Sequence, residues 1–205
     1  MTILGITLDK NGGFHRHNTK VLGDLRKRLG MIRQLSVQLP QGKLLKEIGH
    51  SLIVGRLQSS VFETRVARIN PADSLHHPQP NEGPAQVVLT DLARMLLGVR
   101  RTEHIRAADL VDRVGIPTVN EIVVRQSAIV AWRACKCNAL KEVLEGYDGR
   151  TRGATRDLRK AISRRCLPAV NMCHAWNTSE ALRKAGSIAA ARSIAKKISK
   201  EARHA

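Results

Sequence analysis

Four groupings in the sequence hold side chains of the kinds that do chemistry, and each has a plainer role. Cys135-x-Cys137, Cys166 and the adjacent Cys173-His174 are the soft donors a zinc ion takes. Zinc clusters space their cysteines by two to four residues, and on a helix residues two apart point about 200° from each other. Cys137 continues the stripe of Val119, Val123 and Val130 and is expected in the core, and Pro168 separates Cys166 from Cys173-His174. His76-His77 lies in a proline-rich stretch and is expected in a solvated loop. Asp109 and Asp112 stand one helical turn apart, but acids in the first turn of a short helix favour its dipole. Ser59-Ser60 near His50 has no spacing that argues for a triad, and neither a Gly-x-Ser-x-Gly elbow nor a glycine-rich phosphate loop occurs. These residues assemble no active site.

The arginines are different. Arg150, Arg152, Arg156, Arg159, Lys160, Arg164 and Arg165 fall within 16 residues, opposed only by Asp157. Arg26 and Arg33, seven apart, share one flank of an expected helix beside Lys27 and Arg28. The net charge is +18 and the isoelectric point about 10.9, which implies polyanionic partners. Residues 15–68 hold eleven Lys/Arg against three acids, residues 69–146 nine against nine, and residues 147–205 fourteen against four. Two basic flanks thus enclose a neutral middle. Neutralising phosphates and releasing their counterions is the natural use of such clusters. Aromatic residues are only 2%, so few can stack bases, and backbone contacts are expected rather than sequence reading. An acidic protein partner and a simply solvated face stay open as alternatives.

The elements that must hold these cations read as mainly α. A first helix is expected from Asn18 to about Val37, capped by Asn18 or Thr19, with Leu22, Leu25, Leu29 and Ile32 at 3- and 4-residue steps. Pro40 and Gly42 break it. A second is expected over Lys43 to Glu63, with Leu44, Leu45, Ile48, Leu52 and Val61 in its core and Gly49 and Gly55 weakening it. A third starts near Pro84, carries Val88, Leu92, Met95, Leu96 and Val99, and ends at "GVRR". A short helix spans Ala107 to Val114. The next opens on a Thr118-to-Glu121 capping box and runs to about Asn138. Asn177 to Glu180 is a second capping-box pattern, for a last helix with Ile188, Ala191, Ala195, Ile198 and Ala202 on one face and Arg192, Lys196, Lys200 and Arg203 on the other. Before all of these, Ile3, Leu4, Ile6 and Leu8 favour a strand, and Asp9 to Gly13 a turn. No second strand follows, although a strand's N–H and C=O groups need partners.

At 205 residues and 42% apolar, the chain is long enough to bury a core. No apolar run approaches the ~18–20 residues that span a bilayer, so no membrane is expected. Four cysteines are too few for a disulfide scaffold of this length, and no signal peptide is visible. An intracellular, reduced protein is expected.

Six blocks occur in order: "LGITLDKNGGF", "LRKRLGMIRQLSVQLPQGKLL", "VVLTDLARMLLGVRR", "DLVDRVGIPTVNEIVVRQSAIVAW", "DGRTRGA" and "RCLPAVNMCHAWN". Together they resemble the C-terminal end of reverse transcriptases from non-LTR (LINE-type) retrotransposons, over nearly the whole chain. The resemblance implies that "LGITLD" is the last palm strand, whose partners lie upstream of Met1, and that the Arg-rich first helix starts the thumb. It implies a helical thumb-like bundle with one short N-terminal strand or hairpin left over from the palm. The expected organisation is 1–14 palm end, 15–68 basic thumb-like helices, 69–84 proline-rich linker, 85–146 neutral scaffold and 147–205 basic helical region. The family's Tyr-x-Asp-Asp pair and its endonuclease are absent from these residues, so no Asp inherits a catalytic role. Gln58-Ser59-Ser60 stands where many relatives carry an aromatic–glycine pair.

On this resemblance the segment is non-catalytic and holds an RNA–DNA template–primer duplex, with the missing palm as its intramolecular partner. Arg26, Lys27 and Arg33 would contact duplex phosphates, and Arg150, Arg152, Arg156, Arg159 and Arg164 would grip RNA or DNA further along. Leu92, Leu96, Ile122 and Val130 would pack between them. No cofactor is expected in this segment, since Mg2+ would belong to the palm, and nuclear residence follows from the family alone. The rival readings are a free-standing basic RNA-binding module, a helical protein–protein adaptor, and a reading-frame remnant that never folds stably.

Overall fold

The computed structural model describes residues 2–3, 6–7, 15–39, 42–60, 83–137, 172, 175–176 and 179–201, and they are mainly helical. Thr2–Ile3 (β1) and Ile6–Thr7 (β2) pair antiparallel, Thr2 opposite Thr7 and Ile3 opposite Ile6, so the strand residues pair with one another. The chain divides into two compact units, 1–60 with 77–119 and 61–76 with 120–205. That boundary cuts the charge-neutral segment.

In the first unit, α1 (His15–Gln38) begins a turn earlier than its capping residues suggest, so Asn18 and Thr19 lie inside the helix. His17 and Val21 extend the buried stripe of Leu25, Leu29 and Ile32 upstream, and that burial outweighs the local capping preference. Leu22 is only half-buried.

The second helix is continuous through α2 (Lys43–Gly49), a π turn (His50–Val54) and α3 (Gly55–Gln58). Its buried positions Leu45, Gly49, Ile53 and Leu57 recur every four residues, wider than the 3.6 of an α-helix. The π turn, in which the Gly55 N–H donates to the His50 carbonyl five residues back, keeps that stripe on one face. Two sequence expectations fail here, because the stripe that packs inward lies one residue on from Leu44, Ile48 and Leu52. Leu44 is 57% exposed, and Leu52 is half-buried while Ile53 and Val54 are fully buried. Val61 and the helix's expected extension to Glu63 lie outside the described residues.

Gly49 has a packing role. A Cβ there would stand 2.9 Å from Leu92 Cδ1, so its missing side chain is what lets α2 approach α4 (Pro84–Leu97). Pro84 occupies the first turn of α4 as expected. Gly98 ends it at φ 68°, with the Val99 N–H returning to the Arg94 carbonyl at 3.0 Å. Gly115 ends α5 (Ala107–Val114) in the same way at φ 72°. α1 packs on α2, the π turn and α4, and α4 packs on α5. Leu25, Ile32, Leu45, Ile53, Leu57, Leu89, Leu92 and Leu110 are fully buried there.

α6 (Val119–Lys136) starts at the unit boundary. Its first N–H is capped from a distance, by Gln86 Oε1 of α4 at 2.9 Å. Ile122 is buried and Val130 half-buried. Cys137, expected in the core, is exposed, and Cys135 is the buried thiol. The first two turns of α6 are buried all round, but the last turns bury Ala128, Ala131, Trp132 and Cys135, the side opposite the valine stripe. That choice of face is tertiary. In the second unit these residues pack with Met172, Ala175, Trp176, Leu182, Ala191 and Ala195, and the Trp132 indole donates to the Ala185 carbonyl at 3.0 Å.

The expected last helix is two helices, α7 (Glu180–Lys184) and α8 (Ile188–Glu201). Ser179 Oγ caps α7 through the Leu182 N–H at 3.1 Å, and Ser187 Oγ caps α8 through the Ala190 N–H at 3.2 Å. The break falls at Gly186, beside the carbonyl that Trp132 takes. The proline-rich linker up to residue 82, Cys166, Cys173-His174 and Ala202 onward lie outside the described residues.

Candidate nucleic-acid interface

The first unit sorts its cations into two kinds. Arg28 and Arg56 converge on Asp24, with their Nε atoms 3.2 and 3.0 Å from Asp24 Oδ2, and Arg28 Nη1 also donates to the Leu52 carbonyl of the π turn at 3.3 Å. Partial burial pushes the Asp24 carboxyl up, but hydrogen bonds and charge from Arg28 and Arg56 outweigh it and hold the pKa below the usual value. Arg94 donates to the carbonyls of Arg100, Glu103 and Ile105 at 3.0, 3.2 and 3.4 Å, folding the turn after α4, and Arg101 pairs with Asp91 at 2.6 Å. These arginines build the fold.

Arg26, Lys27 and Arg33 do not. All three are exposed on α1, as is Lys20, and among the described residues no acid pairs with them. At 100° per residue, Arg26 and Arg33 form one row and Lys20 and Lys27 another about 120° away. Gly23 and Gly30 lie between the rows. Each spacing is seven residues, so the pattern repeats after about 10.5 Å along the helix. A Cβ on Gly23 or Gly30 would meet nothing within 4 Å, so packing does not require either glycine. The outward face of α1 is therefore bare backbone between two rows of unopposed cations.

Arg28 illustrates what the spacing alone could not sort. It stands beside Lys27 in sequence, yet a rotation of 100° carries it to the flank where Asp24 and the π turn engage it. Lys20 and the two glycines were not among the residues expected at the interface, and their seven-residue spacing is the signal that finds them. Arg150, Arg152, Arg156, Arg159 and Arg164 lie outside the described residues.

His17, on the buried side of α1, is held below the ordinary histidine pKa by burial first, then by the charges of Arg56 and Lys20. It is a neutral core group. Among the described residues no three His, Cys, Asp or Glu gather where they could hold a metal ion, and no helix is long and apolar enough to cross a membrane. No family model, curated protein or solved structure matches the chain.

Proposed function

We propose that this chain is a non-catalytic, thumb-like segment of a retrotransposon-type RNA-directed DNA polymerase that holds a template–primer duplex by its phosphates. The reading rests above all on one observation: Arg26, Lys27 and Arg33 stand exposed and unopposed on α1, while Arg28 and Arg56 are consumed by Asp24. A helix face without aromatic side chains has no means of stacking bases, so its contacts fall on the sugar–phosphate backbone. Gly23 and Gly30 let that backbone come close to the helix between the two cationic rows. The ordered sequence blocks that resemble LINE-type polymerases supply the choice of an RNA–DNA hybrid as the duplex. Arg150, Arg152, Arg156, Arg159 and Arg164 extend the grip on this reading, Mg2+ serves the palm rather than this segment, and the protein resides in the nucleus.

The test is fluorescence anisotropy of a labelled RNA–DNA hybrid and of its separate strands against salt. The parent should prefer the hybrid, and log affinity should fall linearly with log salt. Replacing Arg26, Lys27 and Arg33 by Ala should flatten that slope by about 2.7, at roughly 0.9 per lost phosphate contact. Equal affinity for hybrid and single strands would point to a general RNA-binding module. Binding that vanishes near physiological salt, with Ala variants like the parent, would point to a protein adaptor.

A further inference from the structure

We infer that α8 is a second phosphate-binding track, which the second unit carries for itself. Arg192, Lys196 and Lys200 follow one another at four-residue steps, Lys197 lies beside them, and all four are exposed. Among the described residues none of the four has an acidic partner. Glu180, the acid of the neighbouring α7, is already paired with Lys184 at 2.7 Å, and Glu201, at the end of α8 beside Lys200 and four residues after Lys197, forms no ion pair among the described residues. From Arg192 to Lys200 the row runs about 12 Å, comparable with the axial advance of three to four nucleotides at roughly 3.4 Å each.

The occupant follows from what the face lacks. The apolar side of α8 is spent inward, with Ala191 and Ala195 at 0% exposure and Ile198 at 9%. Ile188 and Ile194 are half-buried against the same core, which leaves little apolar surface of the kind that membrane-lying amphipathic helices insert into a lipid interface. The other exposed residues of this face, Ala189, Ser193 and Glu201, give a protein partner no aromatic or large aliphatic anchor. An unopposed cationic row that turns about 80° around α8 and lacks an anchor fits a regularly charged, winding backbone. The occupant is a nucleic-acid strand, contacted at its phosphates and not read by sequence. This inference rests on the proposal that the chain binds nucleic acid, but it assigns a different helix in a different unit.

The experiment compares the full chain with two variants on the same labelled RNA–DNA hybrid across salt. One variant is Arg192→Ala/Lys196→Ala/Lys200→Ala, and the other is Ser193→Glu. The Glu deletes no cation and places a carboxylate three and four residues before Lys196 and Lys197, where it pairs with them and supports the helix. The triple variant should flatten the salt slope by about 2.7 and weaken binding on the order of 100-fold at 0.15 M salt. Ser193→Glu should weaken it in the same direction, with an unchanged circular dichroism spectrum. An unchanged slope in both, while the Arg26/Lys27/Arg33 variant loses affinity, would overturn this inference alone. If neither the α1 nor the α8 variants change the slope, both readings fall. If the α8 variants lose binding only to anionic phosphatidylserine vesicles, the occupant is a lipid surface and the inference is overturned.

Discussion

Three helical glycines receive the same substitution and should answer with opposite signs. Glycine in a helix interior costs about 1 kcal/mol relative to alanine, because it surrenders more backbone freedom on folding. At Gly23 and Gly30 an added methyl meets nothing within 4 Å, so the full gain should appear. The two sites are about 10.5 Å apart on α1, and their effects should add to about 2 kcal/mol. For a cooperative transition of this size that raises Tm by roughly 4–8 °C. Gly49 gains the same propensity, but its methyl would stand 2.9 Å from Leu92 Cδ1 in a fully buried contact. Overpacking costs about 1–3 kcal/mol, so Gly49→Ala should lower stability by up to about 2 kcal/mol. Urea unfolding followed by circular dichroism gives all three midpoints. The Gly23→Ala/Gly30→Ala protein should also bind a hybrid duplex several-fold more weakly despite being more stable, since its methyls hold the ligand backbone away from the cations. A stabilised Gly49→Ala protein would refute the packing account. A stabilised double variant with undiminished binding would refute close approach at α1.

Other expectations follow from the same geometry. Arg94→Ala strips donors from three solvent-accessible carbonyls and should cost about 0.5–1.5 kcal/mol in urea unfolding, whereas Arg26→Ala should stay within about 0.5 kcal/mol of the parent. Gln86→Leu leaves the Val119 N–H uncapped beside a buried position, and a loss of about 1–2 kcal/mol should register as a lower melting temperature. Trp132→Phe should cost about 1–3 kcal/mol by orphaning the buried Ala185 carbonyl, read from the urea midpoint. His17 is neutral in the fold with a lowered pKa, so the unfolded chain binds the proton first as pH falls. Its contribution to stability is therefore present above about pH 6.5 and declines below it, until the native side chain titrates too. Urea midpoints at pH 7.5 and 5.5 should differ more for the parent than for His17→Gln, and equal differences would sink this account.

The places of the main helices, Pro84 at a helix start and the glycine that ends α4 were legible because each is decided within a few residues of itself. So were the exposed positions of Arg26, Lys27 and Arg33, which lie away from the Leu25–Leu29–Ile32 stripe whatever α1 packs against. The rest depended on partners far along the chain. A π turn was needed because Leu45, Gly49, Ile53 and Leu57 share one buried face, and no local propensity announces that. Cys135 rather than Cys137 is buried because the last turns of α6 pack on residues some 40 to 60 positions away. Gln86 caps a helix 33 residues on, and Asp24 draws in Arg56 from 32 residues on, removing it and Arg28 from the cations free to meet a ligand. By itself the sequence determined the helical class, the excess of positive charge and the row it occupies on α1. Only the tertiary structure decided which cations remain unopposed, because an ion pair between distant residues forms once packing has brought their backbones together.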